Sequence, residues 1–156
     1  METTGEKRKV YNAWYVQQPL ENATLFEVRN STYFLTTDIT NILAHCIGDA
    51  TYLYIMEQVS GQDRFPLYIG KSNSPLLRWR SHLKMLNISA KGSYVAWRRA
   101  FDTMSGSVCL SVIGARSLKS APFPGFPCSV GSIEYQLVSL ACGFSPFLLN
   151  LEGKPR

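Results

Sequence analysis

Residues 51–59 and 65–69 are rich in β-branched and aromatic side chains, and Ser60-Gly61-Gln62-Asp63 lies between them. Gly, Ser and Asp are the residues that tight turns use, so the pattern predicts a β-hairpin. Pro66 removes a backbone donor from the second run and places it at a sheet edge or a strand start. Shortly afterwards Ser74 stands where a helix N-cap would be, with Pro75 at the first helical position. Leu76, Trp79, Leu83 and Leu86 then recur at helical spacing, which predicts a helix laid with that face on the hairpin. Few folds accommodate a hairpin that runs straight into an amphipathic helix, so this block constrains the chain most.

The rest of the chain is read around it. Residues 1–9 are polar and are expected to fray. Residues 10–16 and 24–28 read as short strands separated by Gln17-Gln18-Pro19, and 31–35 as a third. Thr37 is read as the cap of a helix over 38–46 with Ile39, Ile42, Leu43 and Cys46 on one face, closed by Gly48. Further on, a helix over 94–101 turns Tyr94, Trp97 and Phe101 inward, and 108–113 is a buried strand. A loop follows over 117–132, a length uncommon without a function. The last elements are a helix over 133–142 and a short strand over 147–151. The expectation is an α+β fold: a small central, mostly antiparallel sheet flanked by helices, with 1–48 as an extension packed on a core at 49–156.

Composition narrows the class. At 156 residues, 46% hydrophobic and 17% charged, the chain has the make-up of one globular domain. No apolar run approaches the roughly 20 residues of a membrane span. The first 30 residues hold charges and no apolar core, so a signal peptide is not expected. Cys46, Cys109, Cys128 and Cys142 form no CxxC pair, and His45 and His82 complete no zinc spacing; free thiols in the cytoplasm are the expectation. The net charge is +5, with a pI near 9.1. Arg64, Lys71, Arg78, Arg80, Lys84, Lys91, Arg98 and Arg99 follow one another without an intervening acid. Such a single-sign field attracts polyanions, although a solvated basic face has the same composition.

Some polar residues stand apart from the packing pattern. The hairpin carries Tyr52, Tyr54 and Tyr68, the turn after it Lys71, and the following helix Arg78 and His82. Glu134, expected in the first turn of the 133–142 helix, is the only acid between Thr103 and Leu151. An isolated acid in an apolar, basic setting can hold a cation; at a helix N-terminus it can equally serve the macrodipole.

Together these residues resemble the GIY-YIG nuclease family. Tyr52-Leu53-Tyr54 stands where that family has its first triplet, with Tyr52 in place of its glycine, and Tyr68-Ile69-Gly70 matches the second. Arg78 lies eight residues after Gly70, Arg78-Trp79-Arg80-Ser81-His82 fits the family's R-W-x-x-H run, and Glu134-Tyr135-Gln136-Leu137-Val138 is similar to its E-x-x-L-I helix. Pro146 and Asn150 resemble its closing segment. The resemblance covers about 100 residues.

What the resemblance implies is a metal-dependent endonuclease that hydrolyses DNA phosphodiesters. Glu134 would hold a single Mg²⁺, with Mn²⁺ as a substitute, and Arg78 would clamp the phosphate. Tyr54 would take the proton of the attacking water with Tyr68 positioning, Lys71 lowering the tyrosine's pKa. His82 would orient a tyrosine or meet the phosphate. Arg80, Lys84, Arg98, Arg99 and Asn150 are the expected nucleic-acid contacts. One such site cuts one strand, so a double-strand break would call for a homodimer or for two visits. A nucleic-acid-binding module without catalysis, and a restriction or toxin nuclease with a specific target, are the alternatives on the same fold.

Overall fold

The computed structural model describes residues 3–27, 37–88, 92 and 94–150. The hairpin forms as β2 (Tyr52–Ser60) and β3 (Asp63–Ser72), with Gly61 at φ +61° in its turn. A bulge between Met56 and Glu57 leaves Leu67 as the extra residue on β3. Around the hairpin lie α1 (Thr4–Gln17), β1 (Glu21–Glu27), α2 (Thr37–Ala44), α3 (Pro75–Ile88), α4 (Tyr94–Thr103), β4 (Ser107–Gly114), a 3-10 turn at Ala115–Ser117, and α5 (Val130–Ala141). The strands make one antiparallel sheet in the order β1-β4-β2-β3, so the fold is α+β with helices on both faces.

Strand alternation divides the core. Tyr52, Tyr54 and Met56 of β2 face α2, α3 and α4, whose Leu43, Trp79, Leu86 and Phe101 complete one apolar cluster. Leu53 and Ile55 face α1 and α5, with Tyr11, Trp14, Ile133 and Leu137. Each fully buried large side chain contributes about 2–3 kcal/mol of transfer free energy. Among the described residues no helix is long and apolar enough to cross a membrane.

The N-terminal segment departs from its reading. Residues 10–16 are helical, and the helix begins within the stretch expected to fray. Thr3 and Glu6 form a reciprocal capping box: Glu6 N–H donates to Thr3 Oγ1 at 3.2 Å, and Thr3 N–H to Glu6 Oε2 at 2.9 Å. Tyr11, Trp14 and Gln18 then fall on one helical face and are buried. Capping and that spacing outweigh the strand preference of Tyr, Trp and Val. β1 is an edge strand of the same sheet, paired with β4. Residues 31–35 lie outside the described residues.

Two further differences affect the candidate site. Ser129 caps α5 by accepting from Ser132 N–H at 3.3 Å, so the helix starts three residues earlier than expected and Glu134 sits in its second turn. The loop before it is tied down by Gln136, which accepts from Phe123 N–H at 3.1 Å and donates to Pro127 O at 3.3 Å. The expected strand at 147–151 is not a strand over its described residues, 147–150. Instead Leu149 N–H donates to Leu67 O at 2.7 Å, and the Asn150 side chain clasps Ile69: Ile69 N–H donates to Oδ1 at 2.9 Å and Nδ2 donates to Ile69 O at 2.7 Å.

Candidate active site

Above β3 a cavity of about 420 Å³ opens where the α3/α4 layer and α5 approach each other. Tyr54, Tyr68, Lys71, Arg78, His82, Glu134 and Asn150 all line it. They come from five segments spread over nearly one hundred residues of chain.

Tyr54 is the most enclosed of these. It lies opposite Gly70 in the β2–β3 register, and its phenol covers the Gly70 backbone so closely that a Cβ there would fall 2.7 Å from Cε1. Glycine at position 70 is therefore what admits the ring. Near Tyr52 the close approach is made by the opposite strand: the Asp49 carboxylate occupies the place a Cβ on Gly114 would take. Tyr52 itself is buried, its hydroxyl accepting from Asp49 N–H at 3.1 Å.

The aromatic floor is continuous. Tyr54 and Tyr68 stack at 6.1 Å and 24°, Tyr54 meets the edge of Trp79 at 5.4 Å, and Tyr68 packs on Trp97 at 4.9 Å and His82 at 5.7 Å. His82 is buried and hydrogen-bonds Tyr94 through Nδ1 at 2.8 Å. Burial, with the nearby Arg78 charge, lowers its pKa to about 4, so the ring is neutral near pH 7. Its Nε2 is buried without a hydrogen-bond partner among the described residues. A ligand or water reaching it would gain a bond that the fold leaves unmade.

Charge acts on the tyrosines differently from the sequence-based expectation. Burial pushes the Tyr54 hydroxyl far above its ordinary value, reinforced by Tyr68 and, more weakly, by Glu134; the cation opposing this is Arg78. The hydrogen bond with Tyr68 acts in the same direction, so Tyr54 keeps its proton. Lys71 extends along a different course. Its ammonium lies over the first turn of α5, 3.1 Å from where a Cβ on Gly131 would be. Tuning of Tyr54 thus belongs to Arg78, and the role expected of Lys71 is corrected.

Asn150 is buried with both amide atoms engaged on Ile69. Of the two roles open to Asn150 in the sequence, a hydrogen bond to the backbone around the site and a nucleic-acid contact, the structure has the first: it fixes the backbone between Tyr68 and Gly70. Arg80, Lys84 and Arg99 are exposed and Arg98 partly buried on α3 and α4, and none lines the cavity. Tyr94 and Tyr135 do line it and were not singled out from sequence as site residues. Tyr94 is partly buried, whereas Tyr135 is 66% exposed. No pattern in the sequence distinguishes a cavity aromatic from a core one.

Among the described residues Glu134 is the only carboxylate on the cavity wall. Among the described residues no three His, Cys, Asp or Glu side chains gather into a metal cage. A hydrated Mg²⁺ fits a single carboxylate, because it retains most of its waters and takes further oxygens from a substrate phosphate. No protein-family model, curated protein or solved structure matches this chain.

Proposed function

We propose that the protein is a GIY-YIG-type endonuclease that hydrolyses DNA phosphodiester bonds with a divalent cation held by Glu134, and that it acts in the cytoplasm. The observation that carries this reading is the convergence of one carboxylate, two tyrosines, an arginine and a neutral histidine on a single cavity. The free state of all four cysteines accords with a reducing compartment.

Each side chain has work that its surroundings suit. Arg78, exposed at the cavity wall, offers a planar fork to the non-bridging oxygens and is best matched to the charge that develops in the transition state. When bound, the cation would supply Lewis-acid polarisation of the phosphate and stabilisation of the leaving oxygen. The proton of the attacking water would go to Tyr68 reacting as its phenolate, because Tyr68 is partly exposed and can meet that water while burial keeps Tyr54 protonated. This reverses the order the sequence resemblance implies. His82 packs edge-on to Tyr68, and Tyr94 fixes the imidazole. Gly70 and Asn150 keep the strand beneath in register. A double-strand break then takes two copies of the chain or two successive visits by one.

Plasmid nicking tests the reading. Cutting should require Mg²⁺ or Mn²⁺, stop with EDTA, and fall by about a hundredfold or more in Arg78→Ala. Binding of DNA without metal-dependent cutting would replace it with the non-catalytic module.

A further inference from the structure

A second hollow, of about 520 Å³, adjoins the first and shares Lys71 and Arg78 with it. The two cations therefore stand between the hollows. The remaining polar lining is neutral: the hydroxyls of Thr51, Ser72 and Ser129 and the amide of Asn73. Among the described residues no carboxylate lines it. This is the reverse of the first hollow, where Glu134 supplies a negative charge. The Lys71 ammonium lies close to Gly131 at this boundary, and Lys71 lines both hollows.

A cavity with two cations, four neutral donors and no acid favours an anion, and its continuity with the catalytic cavity favours an anion covalently joined to whatever occupies that one. We propose that the second hollow binds the phosphodiester next to the scissile one, so that the substrate is a nucleic-acid strand running from one hollow into the other across Lys71 and Arg78. This rests on the nuclease reading and adds the path of the strand to it. Specificity for a polymer over a lone diester follows, because only a polymer fills both hollows. A free phosphate ion offers the same chemistry at the second hollow, and the experiment below separates the two.

Cys128 supplies the probe. It is the exposed cysteine of the four and lines the second hollow. The full chain is treated with uncharged N-ethylmaleimide in EDTA, so that nothing is cut, and modification rates at Cys128, Cys46 and Cys142 are read by peptide mass. Three additives are compared: an oligonucleotide of about a dozen nucleotides, a dinucleoside monophosphate with one diester, and inorganic phosphate. The oligonucleotide at ten times its Kd (from fluorescence anisotropy) should slow Cys128 about tenfold, leaving Cys46 and Cys142 unchanged, and the two small anions should not protect. Cys128→Asp should weaken oligonucleotide binding about fivefold relative to Cys128→Asn at low salt.

An oligonucleotide that binds while Cys128 reacts at its free rate overturns the strand path and leaves the nuclease reading intact. Equal protection by inorganic phosphate overturns it in favour of a free anion. Equal slowing of all three cysteines overturns it as a local site. Failure to bind any oligonucleotide, with no metal-dependent nicking, removes both readings together.

Discussion

Glu57 and Glu134 flank the same sheet from different elements, and their surroundings differ in kind. Glu57 is fully buried on the α1 side, and each of its oxygens has partners: Tyr15 at 3.1 Å and Ser111 at 2.6 Å on Oε1, Arg64 at 3.0 Å on Oε2. Glu134 stands partly exposed on the wall of a cavity that His82 also lines. A carboxylate closed in by its own fold holds that fold together, whereas one facing a cavity is placed to meet something from outside. Burial alone therefore does not identify the functional acid.

The sharpest test of this contrast is Glu134→Gln against Glu57→Gln. The first should lower nicking about a thousandfold without moving the melting temperature, and the second should leave nicking intact. Loss of cutting in both would break the distinction. Next in size, Arg64→Met strands a buried carboxylate and should cost about 3 kcal/mol in denaturant unfolding; a negligible change would mean that Glu57 is neutral in the folded state.

The two regions should also have opposite pH slopes. His82 has a folded pKa of about 4 against an ordinary 6.5. The unfolded chain binds the extra proton between these values, so stability from this group rises with pH across the window, by up to about 3 kcal/mol. His82→Gln should flatten that rise. Burial raises the Glu57 carboxyl above its ordinary 4.5, Arg64, Ser111 and Tyr15 opposing. Its contribution is full below 4.5 and is lost as pH climbs through the folded value, and Glu57→Gln should remove that loss. A stability profile unchanged by either substitution would refute the assignment.

Smaller again, Gly70→Ala should cost about 1–3 kcal/mol by crowding Tyr54, and the same substitution should cost less when made in a Tyr54→Ala background. Arg98→Ala with Arg99→Ala should reduce the salt slope of DNA binding by about two phosphate contacts. An unaltered slope would confine binding to the cations of the two hollows.

Much of this was legible in the sequence. The hairpin announces itself through strand-forming residues around a Ser-Gly-Gln-Asp turn, β4 through a nearly continuous apolar run and α3 through helical spacing, and Ser74-Pro75 marks a helix start locally. The misread α1 had a signal as well, Thr3 three residues before Glu6, but the β-rich 10–16 stretch spoke more loudly. The cavity residues were legible as a set through the resemblance to the GIY-YIG family, since Tyr54, Tyr68, Arg78 and Glu134 match its motifs; taken one by one they read as packing or capping residues. Their electrostatics were not: whether Lys71 or Arg78 acts on Tyr54 depends on where α5 begins, and Ser129 sets that. Glu57 carried no mark at all, since Tyr15 and Ser111 come from 42 and 54 residues away.

Ser145, Leu149 and Asn150 together occupy the free side of β3, at Pro66, Leu67 and Ile69. An edge strand with open donors and acceptors is a template on which a second chain can add its own strand. Here one side-chain amide imitates a peptide group and fills that register position without lengthening the sheet. The clasp under the cavity thus also guards against self-association, and Asn150→Ala would expose a ladder for aggregation along with loosening the site.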